Sequence, residues 1–351
     1  MTDHLQTILG HLEALVAIDT QNPPRPQTAD GALVQVITGA LPGFEIKVTD
    51  LGEGCLIIDA VRGTPNALFN VHLDTVPIAK GWSSDPHALV RAEDRAIGLG
   101  SCDIKGAAAV LFTLAAETDQ PMRLVLTTDE EAGSSVCVRS FLKEEISQQI
   151  AFVGEPTEAK PVTSHRGILS SAVKFEGTSG HASSGGTSAV HKAANWIHAV
   201  THHPTAADLR LNVGRVEGGV KPNMIAAECE ALYGFRSPPG VNADTADQIF
   251  RELAGDAVFK RRFLGPGLPC GTEQSDGAQI RAEEMLRSIG LEPAETVNFW
   301  TEASLFAEAG IPAVVIGPGH IDQAHTANEW VAYDSLLETL NAYRSLVHAI
   351  G

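Results

Sequence analysis

Short apolar runs alternate with helical patterns along most of the chain. Five apolar-rich runs predict strands, at 56–60, 67–71, 123–127, 150–153 and 313–316. Amphipathic or Ala- and Leu-rich stretches predict helices at 7–18, 105–117 and 135–145, the last one after a break at Gly133. Strands separated by helix-length connections are typical of an α/β domain with a mixed, mainly parallel sheet.

The middle of the chain has a different rhythm. Its patterns predict strand, helix, strand, strand, helix and strand, at 169–175, 188–200, 209–216, 225–235, 243–254 and 259–263. The order βαββαβ is that of a small ferredoxin-like α+β domain. We therefore expect a catalytic domain formed by 1–167 and 269–351, with an inserted domain at 168–268.

Composition and charge narrow the class of protein. A chain of 351 residues exceeds the size of one hydrophobic core, and 44% hydrophobic with 19% charged residues is ordinary globular composition. The formal charge of −18, without a basic patch, disfavours nucleic-acid or membrane partners.

Asp3 stands where a secretory signal needs basic residues, so we expect a cytoplasmic protein. Five cysteines without a CxxC pair predict reduced, mostly buried thiols.

The strand predicted at 67–71 leads into a histidine and an aspartate that are two positions apart, His72 and Asp74. Their spacing places both side chains on one face if the strand continues, so the carboxylate can reach the imidazole. A histidine held in this way is a typical metal ligand with an orienting partner. The alternative is a histidine that is simply hydrogen-bonded in a turn.

Carboxylates occupy two further loops. Asp103 precedes a predicted helix, where it could be an N-cap. The glycines before it invite a dinucleotide-binding interpretation, which is weak because Asp103 replaces the third glycine of the motif. Glu130 and Glu131 follow the strand at 123–127, where a helix dipole could stabilise them. Adjacent glutamates point in different directions, so one can bind a metal while the other addresses a water.

Glu155 and His325 complete a set of loop residues, since each follows a predicted strand. The carboxyl ends of strands are where open α/β sheets place their sites. Two histidines with several carboxylates suit zinc or a similar divalent ion. One carboxylate shared between two ions would form a two-metal hydrolytic centre.

These motifs, with the whole chain, resemble the zinc-dependent aminoacylase and carboxypeptidase superfamily that contains acetylornithine deacetylase, succinyl-diaminopimelate desuccinylase and glutamate carboxypeptidase. The resemblance implies that Asp103 bridges two Zn²⁺ ions, with Co²⁺ as an alternative metal and one or both sites filled. It assigns His72 and Glu155 to one ion and Glu131 and His325 to the other. Glu130 would be the catalytic base, and Asp74 would act on His72.

The resemblance also assigns roles to the inserted domain, as a lid and a dimerisation surface. His181, in a GHAS-like motif, would assist the oxyanion, in some relatives across a homodimer. Asn223 and Arg236 match positions that contact the substrate carboxylate. Without the family they would be interpreted as a turn asparagine and a solvated arginine.

The expected substrate is a small N-acyl amino acid. The segment from Phe299 to Phe306 looks like a signature of the acetylornithine deacetylases, and the whole chain is similar to their acetylcitrulline-cleaving relatives. We predict hydrolysis of N2-acetyl-L-ornithine in arginine biosynthesis, with N-acetyl-L-citrulline as the alternative. Glu302 is the candidate contact for the substrate. The alternative is that it merely caps local structure.

The other hypotheses are a peptidase or desuccinylase of the same superfamily, or a binding protein that has kept the fold.

Overall fold

The computed structural model describes residues 3–132 and 135–350, so the break predicted at Gly133 lies outside the described residues. The helices of the described residues are α1 (Asp3–Val16), α2 (Ala32–Ala40), α3 (Lys105–Glu117), α4 (Val136–Phe141), α5 (Ala189–Thr201), α6 (Ala206–Leu209), α7 (Ala243–Glu252), α8 (Glu273–Ser288), α9 (Ala303–Glu308) and α10 (Tyr333–Ile350). The strands are β1 (Glu45–Asp50), β2 (Leu56–Arg62), β3 (Ala67–His72), β4 (Val90–Arg91), β5 (Arg95–Ile97), β6 (Met122–Thr127), β7 (Ile150–Val153), β8 (Ile168–Glu176), β9 (Gly180–His181), β10 (Asn212–Gly218), β11 (Met224–Ile225), β12 (Glu228–Phe235), β13 (Val258–Gly265), β14 (Ala313–Val315) and β15 (Trp330–Ala332).

The chain divides into two compact units. The larger is formed by Met1–Thr163, Gly277–Glu295 and Thr301–Gly351, and the smaller by Ser164–Asp276 and Thr296–Trp300. The segment predicted to be inserted, 168–268, lies inside the smaller unit, which also takes in short stretches on either side of it.

The larger unit is built on a six-stranded sheet of order β1-β2-β6-β3-β7-β14. Strands β6, β3, β7 and β14 run parallel, whereas β2 is antiparallel to both β1 and β6. Every residue of β3 and β7 is buried, as expected for central strands of a sheet covered on both faces. The prediction of a mixed, mainly parallel sheet is confirmed.

Helix α3 is the internal helix of this unit. It is rich in alanine, the strongest helix former, and its residues 105–115 are all buried. It packs against α1 and α10. Because packing fixes the start of α3, it also fixes the loop that carries Asp103 just before the helix.

The smaller unit contains a four-stranded antiparallel sheet of order β10-β12-β8-β13. With α5 and α7 between the strands, this is the predicted βαββαβ ferredoxin-like arrangement. Trp196 of α5 packs against Phe175 and Tyr233 of the sheet, and its indole N–H donates to the carbonyl oxygen of Phe250. The prediction of a ferredoxin-like α+β domain is confirmed.

Several predicted elements have different extents in the structure, and the helix predicted at 7–18 is α1, Asp3–Val16. Helix α4 ends at Phe141 and not at residue 145, with Leu142 as its C-cap. The strand expected from residue 209 begins at Asn212, since Leu209 ends helix α6 and Arg210 has a φ of 49°. Ile225 is not part of β12, because it pairs with Gly180 in a separate two-stranded ribbon.

The cysteine prediction is confirmed. All five cysteines are described, buried and free of disulfide bonds: Cys55, Cys102, Cys137, Cys229 and Cys270. Within residues 3–132 and 135–350, no helix combines the length and the apolar character that are needed to cross a membrane.

Candidate metal centre

The predicted ligands lie at one edge of the large sheet. His72 is the last residue of β3, Glu155 comes two residues after β7, and Glu131 comes four residues after β6. These three strands are parallel, so their carboxyl ends meet at the same edge. Asp103 reaches this edge from the loop before α3, and His325 reaches it from the loop after β14.

The first group of side chains consists of His72, Asp103 and Glu155, and all three are buried. The Nε2 atom of His72 lies 3.1 Å from Oδ1 of Asp103 and 3.7 Å from Oε1 of Glu155. One imidazole N–H cannot serve both carboxylates, whereas a cation between the three atoms can.

The second group consists of Asp103, Glu131 and His325. The Nε2 atom of His325 lies 3.3 Å from Oδ2 of Asp103 and 3.1 Å from Oε2 of Glu131. Unlike the other ligands, the His325 side chain is 52% exposed. The same residue has a φ of 58°, in the left-handed region.

Asp103 belongs to both groups and presents a different oxygen to each. Donor atoms bonded to one zinc ion in tetrahedral geometry at about 2.0–2.2 Å lie roughly 3.3–3.6 Å from each other. The ligand atoms of each group lie within 4.8 Å of one another, with the pairs above at 3.1–3.7 Å. The donor set and its spacing therefore fit two divalent cations bridged by one carboxylate.

Electrostatics also favour cations here. Burial raises the pKa of Glu130 and of Glu155 well above the usual range, and neighbouring carboxylates add to this rise while His72 opposes it. Burial opposes protonation of His72, but hydrogen bonds to Asp103 and Asp74 raise its pKa well above the usual value. Hydrogen bonds to Asp103 and Glu131 raise the pKa of His325 to about 11. The carboxylates of both groups therefore stabilise positive charge at this edge of the sheet.

Asp74 contacts both His72 and the two glutamates. Its Oδ1 atom lies 3.5 Å from Nδ1 of His72, and its carbonyl oxygen lies 3.1 Å from the same nitrogen. Its carboxylate also accepts hydrogen bonds from the backbone N–H groups of Glu130 and Glu131, at 3.2 and 2.9 Å. With acceptors at Nδ1, that nitrogen carries a proton, so Nε2 is the ring atom that faces the carboxylates and can bind a cation.

Glu130 is in neither group of ligands. It is half-buried beside Glu131, and His72, Glu131 and Glu155 are its charged neighbours. The backbone N–H of Glu130 donates to Asp74, which fixes the position of the residue. Its carboxylate therefore remains available for a role other than binding metal.

A family model described as peptidase family M20/M25/M40 matches residues 68–349. The chain belongs to this family. It is 41% identical to the N-acetyl-L-citrulline deacetylase of Xanthomonas campestris pv. campestris, over 99% of both sequences. It is also 31% identical to an acetylornithine deacetylase of Vibrio vulnificus, with 85% of each sequence covered.

The fold of the whole chain is also that of a family M20 protein. The crystal structure of an M20 family metallo-carboxypeptidase from Sulfolobus solfataricus matches with a TM-score of 0.73 at 15% identity, over 100% of this chain and 99% of that chain. The superfamily and the zinc-peptidase-like fold inferred from the sequence are confirmed. The protein is an M20 family metallo-hydrolase.

Glu302 of this M20 chain is a buried carboxyl group near the centre. It precedes α9, it is 1% exposed, and its Oε1 atom has no hydrogen-bond partner among the described residues. Burial, with Asp129 as the next cause, raises its pKa to about 8. It caps α9 without a side-chain hydrogen bond, so local capping does not account for its burial.

The other predicted substrate-binding residues lie in the smaller unit. The β9–β11 ribbon brings His181 and Asn223 together, because Met224 pairs with His181 and the carbonyl oxygen of Asn223 accepts from the N–H of Ala182. Arg236 comes directly after β12 and is half-buried.

The exposed imidazole of His181 has a defined hydrogen-bonding role. Its Nδ1 atom accepts from the backbone N–H of Ser183 and lies 2.6 Å from the hydroxyl of that residue. A backbone N–H can only donate, so Nδ1 is unprotonated and the neutral ring carries its proton on Nε2. The Nε2–H group is therefore the donor that His181 presents outward.

Two buried residues that contact Asp74 and the Asp103 loop were not predicted from the sequence. The side chain of Asn22 donates to Oδ2 of Asp74 at 2.8 Å, and Glu329 lies against the Asp103 loop. Burial raises the pKa of Glu329 to about 8. Both contacts join segments that are far apart in the chain, so no local pattern indicates them.

Proposed function

We propose that this M20 protein is a metal-dependent deacetylase of N-acetyl amino acids, with N-acetyl-L-citrulline as its substrate. The observation that carries the proposal is Asp103, whose two carboxylate oxygens each belong to a separate group of histidine and carboxylate ligands. A shared carboxylate between two ions is the hallmark of two-metal hydrolytic centres.

The ligand set fits zinc, with cobalt as a substitute. Imidazole nitrogen and carboxylate oxygen suit either metal, and no cysteine belongs to the two ligand groups. His72 and Glu155 would hold one ion and Glu131 and His325 the other, with Asp103 between them. When bound, the two ions supply Lewis acidity, which polarises the acyl carbonyl and lowers the pKa of water.

Glu130 would move the proton. Its carboxylate accepts a proton from the attacking water and then gives it to the amine nitrogen as the amide C–N bond breaks. The position of Glu130 supports this role, because it lies beside both ligand groups and belongs to neither. Asp74 holds its backbone and so orients it.

The smaller unit would supply the remaining contacts with the substrate. The Nε2–H of His181 would donate to the developing oxyanion, while Asn223 and Arg236 would bind the α-carboxylate. We also propose that this unit forms the lid and the contact of a homodimer. Light scattering tests the dimer, and a fully active monomer would rule out a contribution of His181 across it.

The choice between citrulline and ornithine concerns the distal end of the substrate. The relative with 41% identity over 99% of its length is named for acetylcitrulline, which favours that substrate over acetylornithine. A buried ammonium needs a carboxylate partner, whereas the neutral ureido group needs only hydrogen bonds. Glu302, buried and without a partner at Oε1, is our candidate for a contact with the substrate amide. If it were instead the partner of an ammonium group, acetylornithine would be the favoured substrate.

Amine release from three substrates tests the proposal. The purified protein is loaded with Zn²⁺ or Co²⁺, and kcat/KM is measured for N-acetyl-L-citrulline, N2-acetyl-L-ornithine and succinyl-diaminopimelate. We expect the order in which the substrates are named. A preference for acetylornithine would overturn the choice of substrate, and a preference for the succinylated compound would overturn the acetyl specificity itself.

A further inference from the structure

Two loops that carry ligands meet at one buried carboxylate, that of Glu329. This residue lies four positions after His325, directly before β15, and is 1% exposed. Its Oε1 atom accepts hydrogen bonds from the backbone N–H groups of Cys102 and Asp103, at 2.8 and 2.9 Å. Its Oε2 atom accepts from the N–H of Gly100 at 2.9 Å.

These three bonds fix the path of the Asp103 loop. Three backbone N–H groups of one short segment donate to the two oxygens of a single buried side chain. Because the Asp103 N–H is one of the donors, the peptide group next to the bridging carboxylate has a set orientation. The Asp103 side chain starts from that backbone.

Glu329 is itself held by the neighbouring strands. Its carbonyl oxygen accepts from the N–H of Gly98 at 3.0 Å, and the next residue, Trp330, pairs with Ile97 of β5. The segment that begins at His325 is thereby anchored to the segment that leads to Asp103. The contact joins two parts of the chain more than 220 residues apart.

We propose that Glu329 is a positioning residue that sets the distance between Asp103 and His325, and with it the second cation site. This inference rests on the proposed two-metal centre. Two of the three ligands of the second group, Asp103 and His325, lie on the segments that Glu329 joins. The first group has only Asp103 there, since His72 and Glu155 are fixed at the ends of β3 and β7.

The inference predicts unequal effects on the two metals. In Glu329→Gln, the side-chain oxygen still accepts from Cys102 and Asp103, but the amide nitrogen meets the Gly100 N–H, donor against donor. Loss of an orienting contact of this kind typically lowers metal affinity by about 10 to 100-fold. We expect that loss at the second site, a smaller loss at the first, and a larger effect on the second site in Glu329→Ala.

The experiment titrates metal-free protein with Co²⁺ and follows heat and the visible absorption of the bound metal. Gln279→Leu is the matched control, because Gln279 is also buried and also braces backbone, at Thr163 and Ala313. The control should lower thermal stability without changing either affinity. The absorption added by the second equivalent should change in Glu329→Gln and stay unchanged in the control.

Three results would overturn the inference. One is a Glu329→Gln variant with both affinities unchanged. Another is an equal loss at both sites, and the third is the same selective loss in Gln279→Leu, since either would indicate general destabilisation. A wild-type protein that binds fewer than two equivalents would instead overturn the two-metal centre, and this inference with it.

Discussion

The two ligand groups around Asp103 share a residue but differ in what holds them. His72, Asp103 and Glu155 are all buried, and two of them end or follow central strands of the sheet. In the second group, His325 is 52% exposed and lies in a loop ten residues after β14. Ligands on rigid elements need little ordering when metal binds, so the first group should bind its ion more tightly.

The two ligand groups are also supported by different surrounding residues. Asp74 fixes His72 and the Glu130–Glu131 backbone, so it supports both groups. Glu329 acts on the segments of Asp103 and His325. The more exposed group therefore depends on contacts between distant loops, while the buried group depends mainly on the sheet.

The largest effect is expected from Asp103→Asn, which alters both groups at once. The substitution removes the shared negative charge and one of the two acceptor oxygens. We expect at most one tightly bound metal and a loss in turnover of about 10⁴-fold or more. Metal analysis after dialysis, together with kcat, checks this. Two retained equivalents would refute the bridging role.

Next in size is Glu130→Gln, which should leave both groups intact. Glutamine keeps the shape of the side chain but cannot accept the proton, so kcat should fall by about 10² to 10⁴-fold. Metal content should be nearly that of the wild type. Wild-type turnover in this variant would remove Glu130 from the mechanism.

Asp74→Asn should lower both the metal affinity and the catalytic rate, by less than the two preceding substitutions. Asparagine cannot accept with both side-chain atoms, so His72 and the backbone of Glu131 lose part of their support. We expect losses of about 10 to 100-fold in metal affinity and in kcat/KM. Unchanged values for both would show that the histidine and aspartate were paired wrongly.

The smallest expected effect is the difference in affinity between the two metal sites of the unaltered protein. Slow removal with a chelator should take one equivalent before the other, with affinities that differ by roughly tenfold or more, as for loss of a supporting contact. The retained ion should belong to the buried group. His325→Ala should abolish the weaker binding step and keep the tighter one, and loss of the tighter step instead would reverse our ranking.

Much of the fold could be predicted from local patterns. Apolar runs indicated β2, β3, β6, β7 and β14 because these strands are buried, and an alanine-rich run indicated the buried helix α3. The polar helix α8 was missed, because its sequence carries little apolar periodicity. Ile225 was assigned to the wrong strand, because strand partners depend on residues distant in sequence.

The candidate site divides in the same way. The residues that the structure brings together as two groups follow strands or lie just before a helix, and the sequence shows those ends. Asn22 and Glu329 could not be found like this, because each acts through a hydrogen bond to a remote segment. No spacing in the sequence marks such a contact.

The central claim is that two cations share the carboxylate of Asp103. The most direct measurement is anomalous diffraction at the zinc absorption edge, from crystals of the protein loaded with Zn²⁺. Our account predicts two peaks about 3.5–4 Å apart, one on each side of the Asp103 carboxylate, as in other two-metal sites. A single peak, or two peaks of which one has no contact with Asp103, would contradict it.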